Sequence, residues 1–230
     1  MLTLKAIAVL LHYPDEALQR HGGELIELIA AERGLGDDTR RALQDFIRDM
    51  QQADLMDLQA TYVGLFDRSR TLSLHLFEHV HGESRDRGQA MVELQNIYRE
   101  AGFVIAANEL PDYLPLFLEF CSQLPAEEAC DWLQRSSHLV QELEARLTQR
   151  ESGYAVLFRA LLELGRIPAA DAHLRGQIAR EEPDDTPEAL DQVWEEEQVT
   201  FGPVAGCGGA KTHTGQAVPV DVSQLRRSQG

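Results

Sequence analysis

His75, His79 and His81 form an HxxxHxH pattern, the first residues in this sequence whose types and spacing suggest chemistry. Residues four apart on a helix share a face, so His75 and His79 would be placed to bind a divalent metal. With Glu78 beside them, the pattern also fits a metal-binding helical hydrolase. Yet spacing fixes no third ligand, and Glu78 falls on another part of the helix surface. A structural or partner-facing role is the simpler reading, with His81 near a helix C-terminus, where a cation is favoured.

Two neighbouring segments invite similar questions. Ser84, Arg85, Asp86, Arg87, Gly88 and Gln89 place arginines around a helix start, whose outward N–H groups can hold phosphate. No Gly-rich run ending in Lys-Ser or Lys-Thr accompanies them, and an Arg–Asp surface network at a tight turn explains them equally. Residues 109–115 carry Pro111 and Pro115, four apart, which pre-set the backbone and fix where the next helix begins. Asp112 and Tyr113 are expected to be presented between them, with Glu109 just before and Glu119 one turn into the helix. A stiff connector loses little entropy on binding, which favours recognition; a stiff turn with no partner is the alternative.

Nothing in the sequence pairs a nucleophile with a base. There is no GxSxG, no HExxH and no cysteine at an activating helix start. The three cysteines are odd in number and form no CxxC, so neither a disulfide framework nor a zinc knuckle follows. Cys121 and Cys130 read as half-buried helix residues.

The elements that must position these residues are helical. Leu2, Ala6, Val9 and Leu10 share a face of a first helix that Pro14 stops. A second stripe, Leu25, Leu28 and Ile29, follows Gly22 and Gly23. Asp37 or Asp38 is placed to N-cap a third helix carrying Leu43, Phe46, Ile47 and Met50. Leu55, Leu58, Tyr62, Leu65 and Phe66 continue the period, and residues 72–80 read as a short helix broken at Gly82. Ser84 caps the helix through Met91, Leu94 and Tyr98, which Gly102 closes. Pro115 and Pro125 each open a helix, the latter with Glu127 and Glu128 at its positive end. A long amphipathic stretch runs through Trp132, Leu139, Leu143 and Leu147, and another covers 154–164 before Gly165. Without alternating runs or hairpin dipeptides, the fold class is all-α, a single-domain helical bundle.

Residues 1–178 form the expected helical domain. Residues 179–199 are acidic and include Trp194, which with Val193 is apolar enough to dock on the body. Residues 200–230, rich in Gly, Thr, Pro and Val, are expected to be a disordered, flexible C-terminal tail. The formal net charge of −17 argues against nucleic acid and suits a basic peptide as partner. No apolar run is long enough to span a bilayer. Residues 1–11 read as a first helix and not a signal peptide, which points to a cytoplasmic protein.

At this point specific stretches match a known pattern. YVGLFD at 62–67, LSLHLFEHVHG at 72–82, SRDRGQAM at 84–91, ELPDYLP at 109–115 and WEEEQVTFG at 194–202 closely resemble the NarJ family. These are nitrate reductase molybdenum cofactor assembly chaperones, also called the nitrate reductase delta subunit, and the resemblance covers roughly residues 1–202. It implies a TorD-like all-helical fold and a non-enzymatic cytoplasmic chaperone in nitrate assimilation. The implied partner is the apo catalytic alpha subunit of respiratory nitrate reductase, bound through an N-terminal leader-like segment. No cofactor is held stably. The chaperone promotes loading of the molybdenum cofactor, molybdopterin guanine dinucleotide, into its unfolded client before membrane attachment.

Cofactor-biosynthesis proteins are further expected partners, and the chaperone is expected as a monomer or weak dimer without membrane insertion. The family's peptide groove near such a connector puts client binding at Glu109, Asp112, Tyr113, Glu119, Phe66 and Asp67. His75, Glu78, His79, Arg85, Arg87 and Gln89 form the adjoining wall. A chaperone for a different molybdoenzyme is the alternative within this class; the hydrolase built on His75 and His79 is the alternative outside it.

Overall fold

The computed structural model describes residues 1–81, 85–105, 109–182, 184 and 186. Among them the chain forms eleven α-helices, joined by short turns and by a single antiparallel bridge in place of a sheet. Gly82, Ser84, Val193, Trp194, Cys207 and the expected tail at 200–230 lie outside the described residues.

Two apolar helices form the centre. α7 (Leu114–Gln123) buries Leu114, Leu116, Phe117, Leu118, Phe120 and Cys121, and α10 (Ala155–Leu164) buries Val156, Leu157, Phe158 and Leu161 among others. A helix apolar on most sides has to be enclosed by other elements. α1 (Leu2–Leu10) covers α7 with Leu4, Ile7 and Leu10, and the Met1 ammonium donates to the Ser122 carbonyl at 2.9 Å. α2 (Glu16–Ala30) and α3 (Asp37–Gln52) form an antiparallel pair, with α3 also lying on α10. α9 (Ser137–Gln149) pairs with α10, α8 (Ala126–Arg135) joins α7 to α9, and α11 (Ala172–Ile178) lies on α9 through Ile178. α4 (Leu55–Tyr62), α5 (Leu76–His81) and α6 (Arg85–Glu100) complete the bundle around one continuous core.

The all-α reading holds, and its departures have local causes. Leu2 and Val9 do not share the buried face: they are 67% and 38% exposed, while Leu4, Ile7 and Leu11 are fully covered. α2 starts at Glu16, capped by Asp15, and runs straight through Gly22 and Gly23. Gln51 of α3 lies against Gly22, where a Cβ would sit 2.6 Å from its side chain and displace it. α3 is capped by Gly36, so Asp37 and Asp38 occupy its first turn instead of the cap. The long stretch from Trp132 is two helices. They divide at Ser136, whose hydroxyl donates back to the Trp132 carbonyl. Cys121 and Cys130 are fully, not half, buried.

Leu118 is completely enclosed between α7 and its neighbours. Leu118→Ala leaves a cavity there and should lower unfolding free energy by about 2–5 kcal/mol in urea titration, with an unchanged m-value.

Candidate functional site

The connector at 109–115 is held to the body from Pro111 onward. Leu76 N–H donates to the Asp112 carbonyl at 2.9 Å, and Leu114 N–H donates to the Leu74 carbonyl at 2.8 Å. Together they make the bridge between His75 and Tyr113. Tyr98 of α6, fully buried, donates its hydroxyl to the Pro111 carbonyl at 2.9 Å. The 72–80 segment is therefore not one helix. A 3₁₀ turn at Arg70–Leu72 leads into extended chain, and α5 begins only at Leu76. His75 precedes the helix and does not share a face with His79.

Asp112 is the centre of this junction and is 0% exposed. One carboxylate oxygen accepts from Phe77 N–H at 3.2 Å, so a residue of the connector caps the free N–H groups at the start of α5. The other lies 3.3 Å from His75 Nδ1, and Arg87 of α6 stands 3.9 Å from the first oxygen. Arg87 also donates to Glu78 at 3.1 Å, and the Ser73 hydroxyl donates to the other Glu78 oxygen. The bond to Asp112, outweighing burial, raises the His75 pKa from its ordinary value. His79 is different: burial lowers its pKa, and its Nε2–H donates to the Ser73 carbonyl at 2.8 Å. The two rings are thus committed to different partners, and no group of three His, Cys, Asp or Glu side chains placed to hold a metal occurs among the described residues.

Beside the junction lies an aromatic floor. The Tyr62 hydroxyl donates to the Leu11 carbonyl at 2.9 Å, so Tyr113, whose hydroxyl is 3.3 Å away, must be the donor to Tyr62. The Tyr113 ring sits between His12 and His75, at 5.6 and 5.4 Å. Tyr13, half exposed, packs edge-on against Tyr62. A cavity of about 330 Å³ opens next to His12 and Tyr13, with Val9, Leu18 and Leu25 as apolar lining and Asp15 and His21 among its polar residues. Sequence reasoning missed this α1–α2 groove. The signal available was a His-Tyr pair directly before Pro14.

The proposed site residues separate accordingly. A single π-helical turn, Val63–Asp67, follows α4 and is closed by Arg68 N–H on the Val63 carbonyl at 3.1 Å. It sends Phe66 inward, against Tyr62 and Tyr154, and leaves Asp67 exposed. Asp67 and Glu109 both act electrostatically on Tyr113. Asp67, Glu109 and Tyr113 therefore belong to one accessible face. Asp112 and Phe66 are interior, contrary to the expectation that Asp112 is presented to solvent. Glu119 pairs with Lys5 of α1 at 3.4 Å and shares no contact with that face. In the adjoining wall, Glu78 and Arg87 pair, Gln89 is exposed and bonds Glu93, and Arg85 opens α6. Burial pushes the Cys121 thiol up, leaving it unsuited to nucleophilic work. The arrangement presents an aromatic floor and an acidic rim, a chemistry of binding.

Comparison with known proteins gives this geometry a context. The profile of the family described as "Nitrate reductase delta subunit" matches residues 32–160. The chain is 50% identical over 208 residues to the Escherichia coli K12 protein named "Nitrate reductase molybdenum cofactor assembly chaperone NarJ", covering 90% of this chain and 88% of that one. It is 45% identical over 87% of its length to the probable chaperone NarW of the same organism, 84% of which is covered. The probable NarJ of Bacillus subtilis is 33% identical over 70% of this chain and 86% of its own.

The Asp112–His75 pair has a measurable signature. By NMR titration His75 should have a pKa above the ordinary value of about 6.5, and in Asp112→Asn, where burial acts without the carboxylate, it should fall below that value. A raised folded-state pKa contributes stability that is fully present below the unfolded value and is lost as pH rises through the folded one. The wild type should therefore lose this increment as pH rises through the raised His75 pKa, and Asp112→Asn should not. Asp112→Ala, which also removes the carboxylate that accepts from Phe77 N–H, should cost about 1–3 kcal/mol.

Proposed function

The chain belongs to the nitrate reductase delta subunit family, and from that premise we propose that it binds the apo catalytic alpha subunit of a respiratory nitrate reductase. As a member of a family of assembly chaperones, it is not an enzyme. On this reading it holds the unfolded client through an N-terminal leader-like segment until molybdopterin guanine dinucleotide has been inserted, before membrane attachment. It works in the cytoplasm and keeps no cofactor of its own. No helix among the described residues is long and apolar enough to cross a membrane.

The observation that carries the proposal is 50% identity to a named nitrate reductase molybdenum cofactor assembly chaperone across nine-tenths of this chain. The structure supplies a surface suited to the task. An amphipathic leader would lay its apolar side over Val9, Tyr13 and Tyr113 and its basic residues near Asp67 and Glu109. Because Tyr113 is fixed by the bridge and by Tyr62, little ordering entropy is lost when a peptide arrives.

Affinity capture with the chaperone as bait should retain the cofactor-free alpha subunit and release it once the cofactor is loaded. Capture of a different molybdoenzyme subunit would reassign the client. Calorimetry with a leader peptide should show binding weakened by about 1.4 kcal/mol or more, at least tenfold, in Asp67→Asn with Glu109→Gln. Glu119→Gln should have the smaller effect, and unchanged affinity in the double variant would move the groove elsewhere on the protein.

A further inference from the structure

The chain beyond α11 returns to the segment that follows Asp67. Asp184 lies there in a cradle of four donors, which match the four lone-pair sites of its carboxylate. Thr71 N–H donates to it at 2.9 Å, the Thr71 hydroxyl at 2.9 Å, the Ser69 hydroxyl at 2.9 Å and Arg150 at 2.7 Å. Burial alone would raise the Asp184 pKa; these bonds outweigh it and lower the pKa from its ordinary value, so the side chain is charged at neutral pH. Glu181 meets Arg146 of α9 through two bonds of 2.8 Å, and Arg146 also donates to the Thr71 carbonyl at 3.3 Å. Both backbone groups of Thr71 are thus met by side chains.

What these bonds hold is a short, irregular stretch between two features of the binding face. Upstream is the π-helical turn Val63–Asp67, which ends in the exposed Asp67, two residues before Ser69. Downstream, Leu74 and Leu76 pair with the connector that carries Tyr113. Between them the backbone passes through the 3₁₀ turn Arg70–Leu72, closed by Ser73 N–H on the Arg70 carbonyl at 3.2 Å. A π-helical turn is rare and a 3₁₀ turn has poorer hydrogen-bond geometry than an α turn, so the stretch depends on its side chains for its place. Phe66 and Leu72 are buried in the core at either end of it. The polar positions between them, Ser69 and Thr71, are fastened through Asp184 to Arg150, the residue that caps the C-terminus of α9.

We infer that Asp184 is a positioning residue for the acidic rim: by clamping Ser69 and Thr71 it holds Asp67 where a basic residue of the client leader meets it, although it lies beyond α11. The inference rests on the reading that this face binds the leader. Asp184 is saturated by its own four donors, so it acts on the leader through Asp67 and not as a further acceptor. With the cradle broken, the stretch from Asp67 to Ser73 samples more conformations, and an arriving leader has to order it.

The test uses the full chain and a synthetic peptide carrying the N-terminal leader segment of the alpha subunit, followed by calorimetry. Asp184→Ala should weaken binding about three- to tenfold, the cost of ordering one or two more side chains. Ser69→Ala with Thr71→Val breaks the cradle from the other side without changing net charge, and should reproduce the loss. Amide exchange should rise across 67–73 in both, with α7 and α10 as protected as in wild type, which shows that the fold is intact. In an Asp67→Asn background, Asp184→Ala should have little further effect, whereas a loss through the removed charge or through general destabilisation would add to that of Asp67→Asn. A wild type that fails to bind the leader overturns the functional reading and this inference with it. Binding by the wild type together with unchanged affinity in Asp184→Ala, or with an additive loss in the Asp67→Asn background, overturns the inference alone.

Discussion

A carboxylate removed entirely from water organises the face on which binding is proposed. Asp112 caps α5, holds His75 and faces Arg87 of α6, while its own backbone carbonyl accepts from Leu76. Burying such a group is costly unless its oxygens are met, so the three segments that meet them are constrained together. Tyr113, the next residue, inherits its place from that constraint. The half-buried aromatic ring is positioned by the hidden acid before it.

The fold was largely legible because its signals are local. Pro115, Pro125, Gly102 and Gly165 mark helix ends where the structure has them, and the apolar period finds the helices that build the core. The site was legible only in outline. Nothing within 72–82 reveals that Leu74 and Leu76 pair with 112–114, and that pairing delays α5 and separates His75 from His79. Asp112 looks like a display residue in a proline-braced connector. Its burial depends on α5 and α6, which the sequence does not place beside it.

The cradle around Asp184 was invisible for the same reason. Ser69 and Thr71 lie on a 3₁₀ turn, Arg146 and Arg150 on α9, and the acids follow α11. In sequence the arginines look like ordinary solvated charges, and the acidic run looks like one uniform stretch. In the structure Glu181 pairs with Arg146 and Asp184 with Arg150. In a chain of net charge −17, such a locally cationic spot needs a neighbouring anion, and here the chain supplies its own.

The contact between the Met1 ammonium and Ser122 spans 121 residues. α1 can cover α7 only after more than half of the chain has been synthesised, and closing so large a loop is slow compared with pairing adjacent helices. Until then only α2, which follows it directly, is available to cover part of the apolar face of Leu4, Ile7, Leu10 and Leu11. α1 thus completes its packing only when α7 is present, and for that interval a growing chaperone carries the same hazard of partly uncovered apolar surface as a half-built client.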